Sequence, residues 1–263
     1  MALLSYLLLG CVSGTLAGLL GVGGGLIIVP ALIFIFHQQG FADELITHMA
    51  VGTSLATIIL TSISSVRVHH AHGAVQWRLF KHLSVGIVTG SLLGAWLADS
   101  IQATALQVLI ALFALAVSLQ MGFDFKPTSR QPLPGKRGLW LIGNGIGMLS
   151  TLFGIGGGSI TVPLLIRFSV PIQQAVATAS VCGLPIALAG GLGFVITGWS
   201  NPLLPAASAG YVYVPAFLGI VASSVLFAGL GARLAHRLPA STLRKLFALL
   251  LFGVGVQLLS AAL

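Results

Sequence analysis

Charged side chains are scarce in this sequence. They make up only 6% of its 263 residues, whereas a soluble domain carries about 25%. Residues 1–42, 45–66 and 168–232 contain no Asp, Glu, Lys or Arg at all. Each of these stretches exceeds the roughly 20 apolar residues that span a bilayer. The composition therefore predicts a polytopic helical membrane protein, in contact with the lipid bilayer.

Acidic residues and cysteines are few. The four carboxylates lie in loops or at the ends of apolar segments, at Asp43, Glu44, Asp99 and Asp124. Cation- and proton-coupled transporters often use carboxylates deep in the membrane, so their absence there disfavours a cation carrier. The two cysteines, Cys11 and Cys182, lie in apolar segments. They are expected to be buried thiols and not a disulfide or a metal pair.

Motifs for catalysis and cofactor binding are also missing. The sequence has no nucleophile–base set, P-loop or dinucleotide motif, which predicts no enzyme and no cofactor. The net charge of +8 is better explained by cytoplasmic loops rich in Lys and Arg than by nucleic-acid binding. His69, His70 and His72 share a loop without cysteine or carboxylate. A solvated loop and no metal site is predicted, with metal binding as the alternative.

A glycine-rich break occurs twice inside long apolar segments. Residues 19–33 and 152–166 are separated by an offset of 133, and ten of these 15 positions are identical. A repeat at half the chain length indicates two copies of one structural unit. In a membrane protein it predicts a transporter whose site lies where the broken helices meet.

The basic residues predict the topology. Eight apolar segments cover residues 3–36, 46–66, 79–98, 104–123, 139–166, 172–198, 210–232 and 241–262. If each crosses once, the basic residues split 7 to 5 between the two faces. If the first and fifth segments are helical hairpins, all 12 Lys and Arg fall on one face, as the positive-inside rule prefers. This arrangement places both termini outside and the central linker in the cytoplasm.

The predicted fold is an all-α polytopic membrane protein with two inverted structural repeats. Each repeat consists of a glycine-broken helical hairpin plus three transmembrane helices. Residues 1–123 form the first membrane repeat, 124–138 the cytoplasmic linker and 139–263 the second membrane repeat. Together they are expected to form one integrated membrane domain.

The glycine breaks are the first candidate binding elements. Backbone at membrane depth must be buried in protein or line a wet cavity. A helix that restarts there exposes N–H groups and the positive end of its dipole, which suits an anion. Tight helix packing is the alternative explanation for the glycines. The predicted substrate-binding residues are Gly23, Gly24, Gly25, Gly156, Gly157, Gly158 and Ser159. The predicted helix-break or hinge residues are Gly21, Pro30, Gly154 and Pro163.

Hydroxyl groups in the helices that follow the two breaks are the second candidates. Ser54 and Ser180 are aligned with each other, and Thr53 and Thr178 lie beside them. Their hydroxyls could donate to an oxyanion near the bilayer midplane, so all four are predicted to bind substrate. The alternative is a hydrogen bond to the residue's own helix or to a neighbouring helix.

These motifs resemble the TauE/SafE family of sulfite and organosulfonate exporters. The resemblance rests on 18–25 with Pro30, on 153–158 with Pro163, and on 50–54, and it covers essentially the whole chain. It implies outward transport of small sulfur-containing anions, such as sulfite, sulfoacetate or other organosulfonates, across a bacterial inner membrane. We expect alternating access around a midplane site. The alternatives are a transporter of another small anion or of a metal ion, or a non-transporting membrane scaffold. The sequence leaves the oligomeric state undecided, and a homo-oligomer is one possibility.

Overall fold

The computed structural model describes residues 2–20, 24–71, 73–123, 132–235 and 240–262. Helices dominate this part of the chain. They are α1 Ala2–Leu20, α2 Gly25–Gln38, α3 Asp43–Ala71, α4 Trp77–Ser100, α5 Ala103–Gly122, α6 Lys136–Leu152, α7 Gly158–Arg167, α8 Ile172–Gly198, α9 Val214–Ala235 and α10 Ala240–Ala262. Two short antiparallel strands, β1 Ser208–Ala209 and β2 Val212–Tyr213, precede α9.

The helices confirm the predicted class of an all-α polytopic membrane protein. Among the residues described, α4, α5, α8 and the 43–67 part of α3 are apolar and long enough to cross a bilayer. Large apolar side chains such as Leu92 and Trp96 of α4 lie on the outer surface. In a soluble protein such a surface would be a liability, whereas in a bilayer it contacts lipid.

Two of the eight predicted apolar segments are broken into pairs of helices. The first contains α1 and α2, and the fifth contains α6 and α7. Near the start of α1, the Tyr6 hydroxyl donates to Gln39 Oε1 just beyond α2, at 2.9 Å. Lys136, at the start of α6, and Phe168, just after α7, line the same cavity. In both pairs, therefore, the chain returns to the end at which it entered.

The observed boundaries differ from the expected ones at two places. Helix α6 begins at Lys136, three residues before the predicted start of the second repeat. The seventh segment begins with the β1–β2 hairpin and becomes helical only at Val214. Gly210 in the hairpin turn has φ +53° and contacts the Val195 backbone. A left-handed residue this close to another backbone favours glycine and prevents the helix from starting earlier.

Small residues bring the helices of the two halves into direct backbone contact. A Cβ on Gly10 of α1 would collide with the Ile220 carbonyl oxygen of α9. Likewise, a Cβ on Gly143 of α6 would collide with the Leu83 carbonyl oxygen of α4. Gly14 with Ser224 and Gly147 with Ile87 form a second such pair of contacts. The α1–α9 and α4–α6 interfaces thus contain matched contacts, in which each contact of one interface has an equivalent in the other. The glycines of α1 and α6 are 133 residues apart, and their partners in α4 and α9 are 137 residues apart.

The remaining helices complete the contacts between halves. Helix α3 packs against α8, and α5 packs against α10. Elements from the two predicted repeats therefore pack against each other, and the single integrated domain stays a prediction. The inversion of the two repeats relative to a membrane, and the domain boundaries themselves, stay predictions.

Candidate functional site

The two glycine breaks are brought into contact with one another. A Cβ on Gly25, the first residue of α2, would collide with the Gly154 carbonyl oxygen and lie 2.9 Å from Ile155 Cα. The Ser54 hydroxyl of α3 donates to the same Gly154 oxygen at 2.8 Å. Gly154 itself has φ +65°, a conformation that glycine adopts without strain. Two residues of the first half, Gly25 and Ser54, thus contact the same carbonyl group of the second break.

The second break ends in a sharp helix start. Gly157 is left-handed, with φ +76°, and forms the N-cap of α7. Its carbonyl accepts hydrogen bonds from the amides of Ile160 at 3.1 Å and Thr161 at 2.8 Å. The first amides of a helix have no intrahelical acceptor, and in α7 these belong to Gly158 and Ser159. Two donors and the positive end of the helix dipole therefore face the break.

The first break ends in a gentler helix start. Gly24 is the N-cap of α2, with φ −52°, and its carbonyl accepts from the amides of Ile27 and Ile28, both at 3.0 Å. A Cβ on Gly24 would lie 3.1 Å from Ser13 O, so α2 begins against the middle of α1. The predicted residues Gly21 and Gly23 lie outside the residues that the structure describes.

The predicted hinge prolines lie inside the two helices that follow the breaks. Pro30 is in α2 and Pro163 is in α7. Each is the sixth residue of its helix. A proline at this depth cannot donate the usual helical hydrogen bond, which weakens the first turns of both helices. A hinge there stays a prediction.

Two of the predicted hydroxyls hold the loops between helices. Thr53 Oγ1 accepts from the Tyr213 amide at 3.0 Å, and Thr178 Oγ1 accepts from the Gln76 amide at 3.1 Å. Both threonines are fully buried. Tyr213 and Gln76 are 137 residues apart, the same spacing that separates the α4 and α9 residues in the matched contacts. They therefore occupy equivalent positions in the two halves. Thr53 and Thr178 are therefore structural counterparts.

This pairing differs from the sequence alignment on Ser54 and Ser180. With Thr53 matched to Thr178, the residue that corresponds to Ser54 is Ala179. Ser180 is partly exposed, and its hydroxyl donates to the Val176 carbonyl of its own helix at 2.9 Å. The two serines thus have different roles here: Ser54 bridges two halves, and Ser180 bonds its own helix. Nothing in the short Ala-Thr-Ala-Ser stretch distinguishes these two alignments by sequence alone.

Sequence reasoning missed three further hydroxyls around the second break. Ser150, Thr151 and Thr161 are fully buried, and none of their hydroxyl groups makes a hydrogen bond within the described part of the chain. The predicted residue Ser159 has an equally unpaired hydroxyl. One available signal was that Ser159 and Thr161 replace apolar residues of the first copy of the repeat. Buried unpaired hydroxyls are costly, so a cluster of them calls for a functional explanation.

A basic cavity lies between the two halves at one end of the helices. Its volume is about 500 Å³, and Arg78, His82 and Lys136 line it together with the N-terminal ends of α4, α6 and α8. Gln76 Nε2 donates to Gln174 Oε1 at 2.9 Å within this lining. None of the lining residues that the structure describes is acidic. Cationic side chains and helix N-termini both favour anions, so the cavity is electrostatically suited to collect them.

A buried histidine lies in a separate cluster near the end of α4. His48 Nε2 is 2.9 Å from the Ala98 carbonyl oxygen and 3.2 Å from that of Ile101, so this nitrogen carries the hydrogen. Its ring packs against that of Tyr211 at a tilt of 30°, and the Tyr211 hydroxyl donates to Asp99 Oδ1 at 2.9 Å. The cluster attaches the β-hairpin to α3 and α4.

Comparison with known proteins agrees with the membrane architecture. A family model described as "Sulfite exporter TauE/SafE" matches residues 6–258. A probable membrane transporter protein of Haemophilus influenzae is 38% identical over 262 residues, with 97% of each chain covered. The probable membrane transporter protein YunE of Bacillus subtilis is 26% identical, with 98% of each chain covered. With this coverage, the chain is a multi-pass membrane protein that belongs to the sulfite exporter TauE/SafE family of membrane transporters.

Proposed function

We propose that this protein exports small sulfur-containing anions, such as sulfite, sulfoacetate or other organosulfonates, across a bacterial inner membrane. The observation that carries the proposal is the meeting of two glycine-broken helices beside buried, unpaired hydroxyl groups. The proposed site comprises Gly23, Gly24 and Gly25 from the first break, and Gly156, Gly157, Gly158 and Ser159 from the second.

The available donors suit an oxyanion. Amides at a helix start and hydroxyl groups can each donate to an acceptor oxygen, and the helix dipole adds a partial positive charge. The described carboxylates Asp43, Glu44 and Asp99 are exposed, so none of them repels an anion from the core. A cation would find no carboxylate ligand among these buried groups.

Thr53, Ser54, Thr178 and Ser180 enter the proposal as positioning residues. Ser54 fixes the Gly154 carbonyl, while Thr53 and Thr178 fix the loops before α9 and α4. Ser180 stabilises its own helix beside the second break. Their hydroxyls are engaged with protein in this conformation, which supports a role in holding the breaks in place.

The basic cavity is the proposed cytoplasmic entrance. The positive-inside rule assigns Arg78 and Lys136 to the cytoplasm, with both termini outside. Anions are concentrated there by a positive potential before they reach the breaks. The two repeats, related by inversion, then rock against each other about the Gly25–Gly154 contact and expose the site alternately.

Binding by the purified protein tests this proposal. We expect sulfite or a sulfonate to raise the thermal stability of the protein, relative to carboxylates and metal salts at matched ionic strength. A ligand that binds only the folded state adds about 2.7 kcal/mol at a hundredfold excess over Kd. Stabilisation by a metal salt or a carboxylate alone would contradict the assignment to sulfur anions.

A further inference from the structure

Unpaired buried hydroxyls are concentrated at the second break. Across the described residues, eight buried side-chain nitrogen or oxygen atoms have no hydrogen-bond partner. Four of these eight belong to Ser150, Thr151, Ser159 and Thr161, which lie within one turn-and-helix segment around Gly157. Such clustering is unexpected, because buried hydroxyls normally find a partner in the protein.

Two of these hydroxyls point toward the start of α7. The Ser150 oxygen would lie 3.3 Å from a Cβ on Gly157, and the Thr161 oxygen 3.5 Å from it. Gly157 is the N-cap of this ten-residue helix. Both side chains are completely buried. The hydroxyls therefore border the same point at which the free amides of the first turn of α7 begin.

The aligned positions of the first break carry no hydroxyls, and the hydroxyl of Ser13, which lies beside Gly24, is engaged with the Gly10 carbonyl oxygen at 3.5 Å. At the offset of 133, Ser150 corresponds to Ala17, Ser159 to Leu26 and Thr161 to Ile28. Leu26 and Ile28 are buried apolar side chains within the core. Within the otherwise similar repeat, the apolar residues of the first copy are thus exchanged for donors in the second.

We propose that the anion is bound asymmetrically, by the second break alone. Ser150, Ser159 and Thr161 donate through their hydroxyls, and the amides at the start of α7 complete the set of donors. The first break serves as the apolar packing partner, with Gly25 against Gly154. This assignment rests on the proposed function and narrows its binding site from the residues of both breaks to the hydrogen-bond donors of the second.

The neutrality of these donors indicates the charge of the ligand. Hydroxyls and amides supply hydrogen bonds, and a helix start contributes only about half a positive charge. A second negative charge would be buried without compensation, which is costly. The class of ligand is therefore a monoanion with several acceptor oxygens, such as an alkanesulfonate or hydrogensulfite. Within the proposed substrates this selects against dianions, which include sulfoacetate as well as sulfate.

The experiment uses the purified full-length protein in detergent. Thermal unfolding is followed during titration with methanesulfonate or with sulfate, at matched ionic strength. The test variants are Thr161→Val, which keeps the shape of the side chain, and Ser150→Ala. Thr57→Val is the chemical control, since the buried Thr57 hydroxyl donates within its own helix to Ser54 O at 2.7 Å. Ile28→Val is the positional control in the first break.

We expect the affinity for methanesulfonate to fall roughly ten- to hundredfold in Thr161→Val and Ser150→Ala, because each loses a hydrogen bond to a charged ligand. Both should fold normally, since the hydroxyls that they lose have no partner in the protein. Thr57→Val and Ile28→Val should keep their affinity, and sulfate should stabilise none of the proteins.

The outcomes separate this assignment from the proposed function. If methanesulfonate stabilises the wild type and both test variants equally, the second-break assignment is wrong while anion binding stands. Equal stabilisation by sulfate and methanesulfonate overturns the charge selectivity. If no sulfur anion stabilises the wild type, the proposed function and the asymmetric site fall together.

Discussion

At the scale of single residues, the Gly154 carbonyl group links the second break to the first half of the chain. It accepts the Ser54 hydroxyl at 2.8 Å, and Gly25 contacts it at backbone distance. Both contacts come from the first half, whereas the four unpaired hydroxyls around this break belong to the second half. The first half therefore holds the second break in position, while the hydroxyl donors at that break come from the second half.

Replacement of Ser54 tests this dependence. Ser54→Ala should lower the free energy of unfolding by about 1–3 kcal/mol, because the buried Gly154 oxygen loses a hydrogen-bond donor. Ser180→Ala is the matched control, and it should change stability by less than about 0.5 kcal/mol, since its hydroxyl bonds only its own helix. Stability is measured by thermal unfolding. If both variants lose the same free energy of unfolding, the Ser54 hydroxyl does not hold the Gly154 carbonyl group as the account requires.

At the scale of elements, hydropathy together with the two glycine breaks predicted most of the helices. The eight apolar segments and the two glycine breaks correspond to the ten helices observed among the described residues. Apolar length and glycine are local signals, and the sequence displays both. The strands before α9 were missed because Ser208–Tyr213 is too short to show an alternating pattern.

The site was harder to predict than the helices. The glycines at both breaks were identified because they recur at a fixed offset. Ser150 was not, because a serine within a helix usually bonds its own backbone. Whether its hydroxyl is paired depends on helices far away in sequence, and no local pattern reveals this. The same limitation led to the alignment of Ser54 with Ser180 instead of Ala179.

The α4–α6 interface provides a prediction at this scale. Gly147→Ala should destabilise the protein by about 1–3 kcal/mol, because its Cβ would collide with the Ile87 carbonyl oxygen. Gly145→Ala, two residues away on α6, meets open space and should be neutral or stabilising by up to about 1 kcal/mol. Thermal unfolding of both variants gives the comparison, and a neutral Gly147→Ala would mean that the helices are not in backbone contact.

At the scale of the whole molecule, the matched contacts and the helical hairpins lead to a prediction of how the protein is oriented in the membrane. The contact of Gly10 with Ile220 in one interface matches that of Gly143 with Leu83 in the other, so equivalent helices of the two halves pack in the same way. The two helical hairpins return the chain to the side of the molecule at which it entered. With the positive-inside rule, this arrangement predicts that Ala42 faces the exterior and Leu133 the cytoplasm.

Thiol labelling in intact cells checks the predicted orientation. In a background in which Cys11 and Cys182 are replaced, Ala42→Cys should react with a membrane-impermeant reagent from outside. Leu133→Cys should react only after the membrane is opened. Both positions are exposed, so burial does not confound the comparison. Labelling of both from the same side would exclude the inverted arrangement.

The central claim, transport of a sulfur-containing monoanion, is tested most directly by flux into proteoliposomes that contain the purified protein. The account predicts that methanesulfonate enters faster than into protein-free liposomes, that sulfate does not, and that Thr161→Val abolishes most of the difference while Thr57→Val preserves it. Methanesulfonate entry no faster than into protein-free liposomes, with sulfate or a cation carried instead, would contradict the account.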